Sequence, residues 1–286
     1  MQAAHVVSLK QPPRPAEVAD ADGLEVVAVA LNPLDLAVGS GVFYGGHPPL
    51  PYVPGCEAVA RRPDESLVYL FGEGRGVARD GFLQERVGTT PDIELSLPAG
   101  TDPALAACAG IAGIAAWVPV AWKAKVGAGD RVLVLGGTGT VGRVAAQAAE
   151  LLGAAHVVAV GSTDLDRIPQ EFGDDGFTVC IDPVWGEPLA NALQHAQRHA
   201  RIVHIGQSAG PQSPLESADV RGKELVIMGH SNFALAKEER DRAYLELLEH
   251  LTAGRITIEY ETFPLDDVAA AWANQRGGKS VVVLAS

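Results

Sequence analysis

The chain has 286 residues, 47% of them hydrophobic and 20% charged, enough for one large domain or two ordinary ones around a sizeable core. Its net charge of −13 argues against nucleic acid and against anionic membrane surfaces as partners. Three widely spaced cysteines form no disulfide framework and suit a reducing cytoplasm, and the opening MQAAHVVSLKQPP has no basic start with an apolar run behind it, so a cytoplasmic protein is expected.

Taken in order, His5 to Leu9 reads as a first strand, and Pro12, Pro13 and Pro15 impose a loop after it. Leu24 to Leu31 is a strand that Asn32-Pro33 ends, because a residue before proline is pushed out of the helical region. Leu34 to Val38 forms a helical turn, and Gly39 to Gly55 is a long loop rich in glycine and proline that carries Phe43, Tyr44 and Tyr52. Strands follow at Cys56 to Arg61, Leu67 to Phe71 and Phe82 to Val87, so the first third is mostly β. Ala104 to Trp122 lacks charge and approaches the length of a membrane span. It is built from alanine and glycine, however, and Pro119 interrupts it, which reads as a close-packed buried helix.

Alternation sets in from there. Strands are expected at 131–135, 156–160, 177–181, 201–205 and 225–229, with helices from Thr140, at Pro188 to Arg198 and at Glu238 to Ala253. Leu245, Leu248 and Leu251 give the last helix an apolar face, and Gly254 ends it. This is the pattern of a parallel α/β sheet. The tail adds a strand at 256–260, a helix at Leu265 to Ala273 and a strand at Ser280 to Leu284.

The most informative stretch is DRVLVLGGTGTVGRVAAQAAELLG, residues 130–153. A short apolar strand runs into Gly137-Thr138-Gly139-Thr140-Val141-Gly142 and then into a helix. In such a GxGxxG series the first glycine serves the tight turn. The second lets the backbone approach a pyrophosphate, and the third lets helix pack on strand. The helix presents free N–H groups and a positive dipole end to an anion.

The segments LNPLDLAVGSG (31–41), PLPYVPGCEAVA (49–60), GIAGIAAW (110–117), residues 129–154, CIDPVWGEPL (180–189), RIVHIG (201–206) and FPLDDVAAAW (263–272) together resemble the medium-chain dehydrogenase/reductases, within them the zinc-independent quinone reductase branch. The resemblance implies an α/β Rossmann domain over 106–253 and a GroES-like β domain over 1–105 and 254–286, with the coenzyme in the cleft. This chain departs from the family in two places. The β domain is compressed between Ala60 and Phe82. Only Asp164 to Gly176 separates the second Rossmann strand from FTVCID, so one edge strand of the parallel sheet is expected to be missing.

The resemblance places the three catalytic zinc-ligand positions of the metal-dependent relatives near Asn32, at Cys56 and at Cys108, a poor donor set, and no metal is expected. Glu57 reads as part of an internal polar network. Without zinc, an oxyanion formed by hydride transfer needs a hydrogen-bond donor or acid. Tyr44 is the candidate, in the loop where related reductases carry a tyrosine near the substrate, and Asn32 is a second candidate contact. Ile205, Gly206, Ser231 and Asn232 would flank the nicotinamide by the same analogy, whereas His47 and His230 read as solvated or packed.

The second Rossmann strand ends in Gly161, Ser162 and Thr163 with no carboxylate, and Arg167 follows one turn later, which points to the 2′-phosphate of NADPH. Asp164 and Asp166 cut the other way. The expected activity is NADPH-dependent reduction of a quinone or an α,β-unsaturated carbonyl, on a small-molecule substrate. An enoyl-thioester reductase and a nucleotide-binding redox sensor with little catalysis are the alternatives. The strand at 224–229 is an apolar edge expected to pair with its twofold mate in a homodimer.

Overall fold

The protein is described by a computed structural model covering residues 1–275 and 277–284. It divides into two compact units, one of Met1–Ile111 with the C-terminal segment from Glu259, the other Ala112–Ile258. These divisions lie a few residues beyond the 105/106 and 253/254 boundaries expected from sequence.

The first unit opens with β1 (Gln2–His5) paired antiparallel to β2 (Arg14–Glu17). Both elements differ from expectation. The strand ends where His5–Leu9 was expected to begin, and the proline-rich loop yields a strand, because an outer strand of a two-stranded pair tolerates a residue without an N–H such as Pro15. There follow β3 (Leu24–Ala30), α1 (Pro33–Ser40), β4 (Glu57–Arg61), β5 (Leu67–Phe71), β6 (Arg86–Val87), β7 (Glu94–Ser96) and α2 (Pro103–Cys108). Asp102 caps α2 by accepting a hydrogen bond from the Ala104 N–H. The backbone then breaks at Gly110.

The second unit contains α3 (Ile114–Trp117), β8 (Arg131–Leu135), α4 (Thr140–Leu151), β9 (His156–Val160), α5 (Arg167–Phe172), β10 (Phe177–Asp182), α6 (Gly186–Leu193), β11 (Ala196–His204), α7 (Ser217–Gly222), β12 (Val226–Gly229) and α8 (Lys237–Thr252). The chain returns to the first unit with β13 (Tyr260–Pro264), α9 (Val268–Asn274) and β14 (Lys279–Val283).

In the first unit a seven-stranded sheet runs β13-β14-β3-β4-β5-β7, with β6 also on β3. Its pairs are antiparallel except β13–β14. Val29, Leu31, Ala58, Leu70, Phe82 and Val282 are among the residues that fill its core. In the second unit five parallel strands lie in the order β12-β11-β10-β8-β9. The sheet therefore ends at β9, and among the described residues no further strand pairs beyond it, as expected. α5 and a single short turn carry the chain straight from β9 to β10. Arg131 fastens this shortcut. Its guanidinium donates to the carbonyls of Glu171, Phe172 and Gly176 and lies 5.4 Å from the Phe172 ring.

Two further expectations fail locally. The helix expected at Pro188–Arg198 stops at Leu193, and Ala196 onward is strand, because Arg201 to His204 pair with both β10 and β12. On α8 the buried face is Ala243, Tyr244, Leu247, Leu248 and Leu251, whereas Leu245 is exposed. The apolar run from Pro103 to Lys123 is long enough to cross a membrane but is mostly buried inside the protein, where it serves as core.

Candidate functional site

The glycine turn of the second unit sorts its glycines by what their missing side chains make room for. Gly136, not Gly137, has the positive φ (63°) of the tight turn, a correction to the role read from the motif. A Cβ on Gly137 would stand 2.7 Å from the Ala159 Cβ and 2.9 Å from the Val160 nitrogen, so Gly137 lets the turn lie against β9. A Cβ on Gly142 would reach 2.3 Å from the Gly136 oxygen, so Gly142 lets α4 sit on the turn. At Gly139 the nearest atom would be the Gly136 oxygen at an ordinary 3.5 Å, and φ is −83°. The fold places no demand for glycine there. The open space lies at the N-terminus of α4, where Thr138 and Gly139 are exposed, Thr140 and Val141 half-buried, and an anion gains both free N–H groups and the helix dipole. It also lies at the switch between β8 and β10, where the strand order reverses and α/β sheets take ligands. These residues fit a dinucleotide pyrophosphate.

The adenosine end of such a site differs from the expectation. Asp164 folds back so that its Oδ1 accepts from the Gly161 N–H at 2.7 Å. A carboxylate therefore does stand at the end of β9, and a Cβ on Gly161 would meet both that oxygen and the Thr138 side chain at 2.9 Å. Arg167 is drawn to Glu171 (2.9 Å) and Asp164 (3.5 Å) rather than standing free. Ser162 and Thr163 are exposed.

On the other side of the switch, Asp182 ends β10 fully buried. Its Oδ1 accepts from the N–H groups of Val184 (3.0 Å) and Trp185 (2.8 Å), and its Oδ2 lies 3.2 Å from the His204 Nδ1. The Trp185 and His204 ring centroids lie 4.2 Å apart with the planes tilted by 42°. Trp185 has φ 60° and ψ −158°, a region essentially reserved for glycine that costs a side chain about 1–3 kcal/mol. Of the analogy-based residues, Ile205 donates its N–H to the Asp182 carbonyl at 2.8 Å, and Gly206 sits where a Cβ would meet the Pro183 oxygen at 2.8 Å. Ser231 is exposed. The Asn232 Oδ1 is 2.8 Å from the buried His230 Nε2, and burial lowers the pKa of that imidazole to about 4.

The first unit holds a second constellation, wholly buried. Asn32 has no side-chain group left for a substrate. Its Nδ2 donates to the Ala30 carbonyl (3.1 Å) and the Glu57 Oε1 (2.7 Å), and its Oδ1 accepts from the Lys279 Nζ (2.7 Å). Lys279 also donates to the Leu31 carbonyl (2.9 Å) and lies 3.8 Å from the Glu57 Oε1. The Glu57 Oε2 accepts from the Tyr69 hydroxyl (2.8 Å) and the Ile111 N–H (2.6 Å). That last bond explains the break at Gly110: a Cβ there would stand 1.9 Å from the Glu57 Oε2. Burial pushes the Glu57 carboxyl up, against the pull of Lys279 and of its hydrogen bonds. Asp35 closes the network by accepting from the backbone N–H of Asn32 (2.8 Å) and of Cys56 (3.0 Å), and its pKa too is raised by burial.

Sequence reasoning placed Glu57 in an internal network but missed its partners Lys279, Tyr69 and Ile111, and it missed Asp35, Gly110, Asp182, His204 and Trp185. The available signals were a lysine opening the apolar run KSVVV and a tryptophan standing before Gly186 in a strand-to-helix turn.

The resemblance placed the zinc-ligand positions near Asn32, at Cys56 and at Cys108. The Asn32 amide is bonded to Ala30, Glu57 and Lys279. Burial holds the Cys56 thiol well above its usual pKa, with a hydrogen bond to Asp35, and raises Cys108 to about 12. No group of three or more metal-ligating side chains is assembled among the described residues. Tyr44 is exposed on the loop after α1, its ring tilted against Phe43 with centroids 4.5 Å apart. Tyr52 is buried. His47 is exposed, its Nδ1 2.7 Å from the Pro48 oxygen.

A parallel sheet with an open glycine turn at its switch point suits a dinucleotide, and comparison with known proteins supports an NAD(P)-dependent oxidoreductase. The family model described as "Zinc-binding dehydrogenase" matches residues 152–281, a span that excludes Asn32, Cys56 and Cys108. The quinone oxidoreductase of Lama guanicoe is 27% identical over 284 residues, covering 87% of this chain and 82% of the relative. Among solved structures, an NAD-dependent alcohol dehydrogenase superposes with TM-score 0.86 at 21% identity over all of both chains. The quinone oxidoreductase of Thermus thermophilus, described with its NADPH complex, superposes with TM-score 0.81 at 23% identity over 99% of this chain and 100% of that one. In sequence and in fold the chain is similar to the quinone oxidoreductases of the medium-chain dehydrogenase/reductases.

Proposed function

We propose that the protein reduces a quinone or an α,β-unsaturated carbonyl with NADPH and without zinc. The observation that carries this reading is the open Gly139 turn at the N-terminus of α4; beside it, the zinc-ligand positions of the metal-dependent relatives fall on Asn32, Cys56 and Cys108, a poor donor set. A bound nicotinamide supplies the hydride. Tyr44 supplies the donor for the oxyanion, its hydroxyl on an exposed loop. Asn32 acts as a positioning residue through Glu57 and Lys279. The test is NADPH oxidation with a panel of quinones and enones. Wild type should turn over at least one class, and Tyr44→Phe should lower kcat by roughly 10²-fold with coenzyme affinity unchanged. No turnover of any acceptor sinks the activity, and an unaltered kcat in Tyr44→Phe removes the tyrosine from it.

For NADPH, Arg167 is the group to meet the 2′-phosphate, exchanging its bond to Glu171 for a charge-assisted one, with Ser162 and Thr163 as hydroxyl donors. NADH is the second reading, favoured by the Asp164 carboxylate at the end of β9, the position that binds a free ribose 2′-hydroxyl. Comparing kcat/KM for the two coenzymes decides. With NADPH preferred, Arg167→Ala should lose roughly 10- to 100-fold with NADPH and little with NADH, and Asp164→Ser should sharpen the preference. A wild-type preference for NADH that Asp164→Ser reverses would establish the second reading.

The edge of β12 is exposed at Val226 (46%) and Ile227 (36%), an apolar edge that a twofold mate would cover, and we take the protein to be a homodimer through it. Light scattering at micromolar concentration should give the mass of two chains; a monomer rules the pairing out.

A further inference from the structure

We propose that the acceptor is an uncharged quinone or enone bearing an aliphatic tail, and that Val42 and Leu50, on the loop after α1, take up that tail. This rests on the reading of Tyr44 given above and names the class of acceptor that the loop serves. Residues 38–56 contain no aspartate, glutamate, lysine or arginine, in a chain that is 20% charged. Most of residues 41–51 are nevertheless exposed, where charged side chains ordinarily stand. Tyr44 (84%) and Val42 (71%) are the two most exposed large hydrophobic side chains among the described residues, and Leu50 is exposed as well. So is Val7, next to Val6, whose backbone exchanges hydrogen bonds with Tyr52 at the far end of the loop. Single exposed apolar residues need no explanation, but this many in one uncharged loop mark a binding surface.

The backbone beneath these side chains is tied down. The Gly41 N–H donates to the Val38 carbonyl at 3.0 Å, those of Val42 and Phe43 donate to the Ala37 carbonyl at 3.0 and 3.2 Å, and that of Gly46 donates to the Phe43 carbonyl at 2.9 Å. Phe43 packs against the buried cluster of Val6, Val38 and Tyr52, and the Tyr44 ring leans on it. Val42 and Tyr44 are thus presented to water rather than folded inward, and an apolar ligand removes that area from water. A carbonyl on the Tyr44 hydroxyl brings the rest of its molecule onto this loop. A phosphate-bearing carrier, as in a thioester acceptor, would find no cation between residues 38 and 56. An aliphatic chain needs none.

The experiment measures kcat/KM of the full chain, with NADPH, for 1,4-benzoquinones bearing an ethyl, pentyl or decyl chain. Pentyl quinones whose chain ends in a carboxylate or a trimethylammonium are measured beside them. In wild type the pentyl quinone should exceed the ethyl one by about 10-fold, the yield of three methylene groups partly removed from water, and the decyl quinone should do no worse. A charged end of either sign should remove most of that gain. In the double variant Val42→Ser, Leu50→Ser the gain should shrink to roughly 2-fold, whereas Val42→Met, Leu50→Met should keep it. Tyr44→Phe should lower the rate with every chain and leave the ratio between chains unchanged, so the two readings fail separately. Equal kcat/KM for ethyl and pentyl quinones in wild type would overturn the proposal. So would a gain untouched by the serine pair, or a trimethylammonium-ended quinone that outdoes the neutral one, which would trace the preference to the net charge of −13. Failure of wild type to reduce any quinone would instead overturn the proposed activity, and this inference with it.

Discussion

Lys279→Met should destabilise the first unit by about 3–5 kcal/mol, the cost of leaving a buried charge without its partner. Methionine keeps the length and apolar stem of the lysine but removes the ammonium. Three groups then lose what it supplied: the Leu31 carbonyl and the Asn32 Oδ1 their donor, and Glu57 its cation. Both side chains of the pair are fully buried, so water cannot stand in without the core opening. Adding Glu57→Gln should recover part of the loss, because the carboxylate left without its cation is then gone. Urea unfolding monitored by circular dichroism checks this. A Lys279→Met penalty below about 1 kcal/mol would show that the pair is not what holds β14 to β3 and the N-terminus of α1.

Gly139→Val and Gly142→Val should fail in opposite ways. At Gly139 the backbone is extended and the space beyond it open, so a valine folds normally and fills the room a pyrophosphate needs. Coenzyme affinity should fall by 100-fold or more, on the order of 3 kcal/mol, with an unaltered melting temperature. At Gly142 the first added carbon already collides with the Gly136 carbonyl at 2.3 Å, and α4 must move off the turn. That variant should lose several kcal/mol of stability, on the scale of overpacked cores. Titration with NADPH and a thermal melt separate the two. A destabilised Gly139→Val, or one that binds coenzyme normally, refutes the assignment of the open space to the ligand.

Much of the second unit was legible because its signals are local. Apolar runs such as Arg131–Leu135 followed by glycines mark strand and turn, and the shortness of 164–176 left no room for another strand. What escaped was set by contacts between distant segments or by backbone direction. Nothing near Lys279 names Glu57, and nothing near Gly110 announces that a carboxylate occupies the volume of its absent side chain. Gln197 and Arg198 close the helix expected at Pro188 to Arg198, yet the residues after them are claimed by two neighbouring strands. The absence of a carboxylate within β9 was true of the sequence, but a short turn returned Asp164 to the strand end. That bond spans only three residues, so an aspartate just past a strand is a readable signal.

The lost edge strand bears on how copies of this protein can meet. A sheet with two bare ends is able to add copies at both, and unlike ends that match give chains without a stopping point. The two ends here are chemically unlike. β12 shows Val226 and Ile227, whereas beside β9 stand His156, Glu171 and Arg167, charged or chargeable groups tied to one another. A hydrophobic end has no reason to settle on that ionic border, so the pairing proposed at β12 would join like to like and halt growth at two. Neutralising the border, for example by replacing Glu171 and Arg167 with leucine, would remove the terminator and turn a closed pair into fibre-forming material.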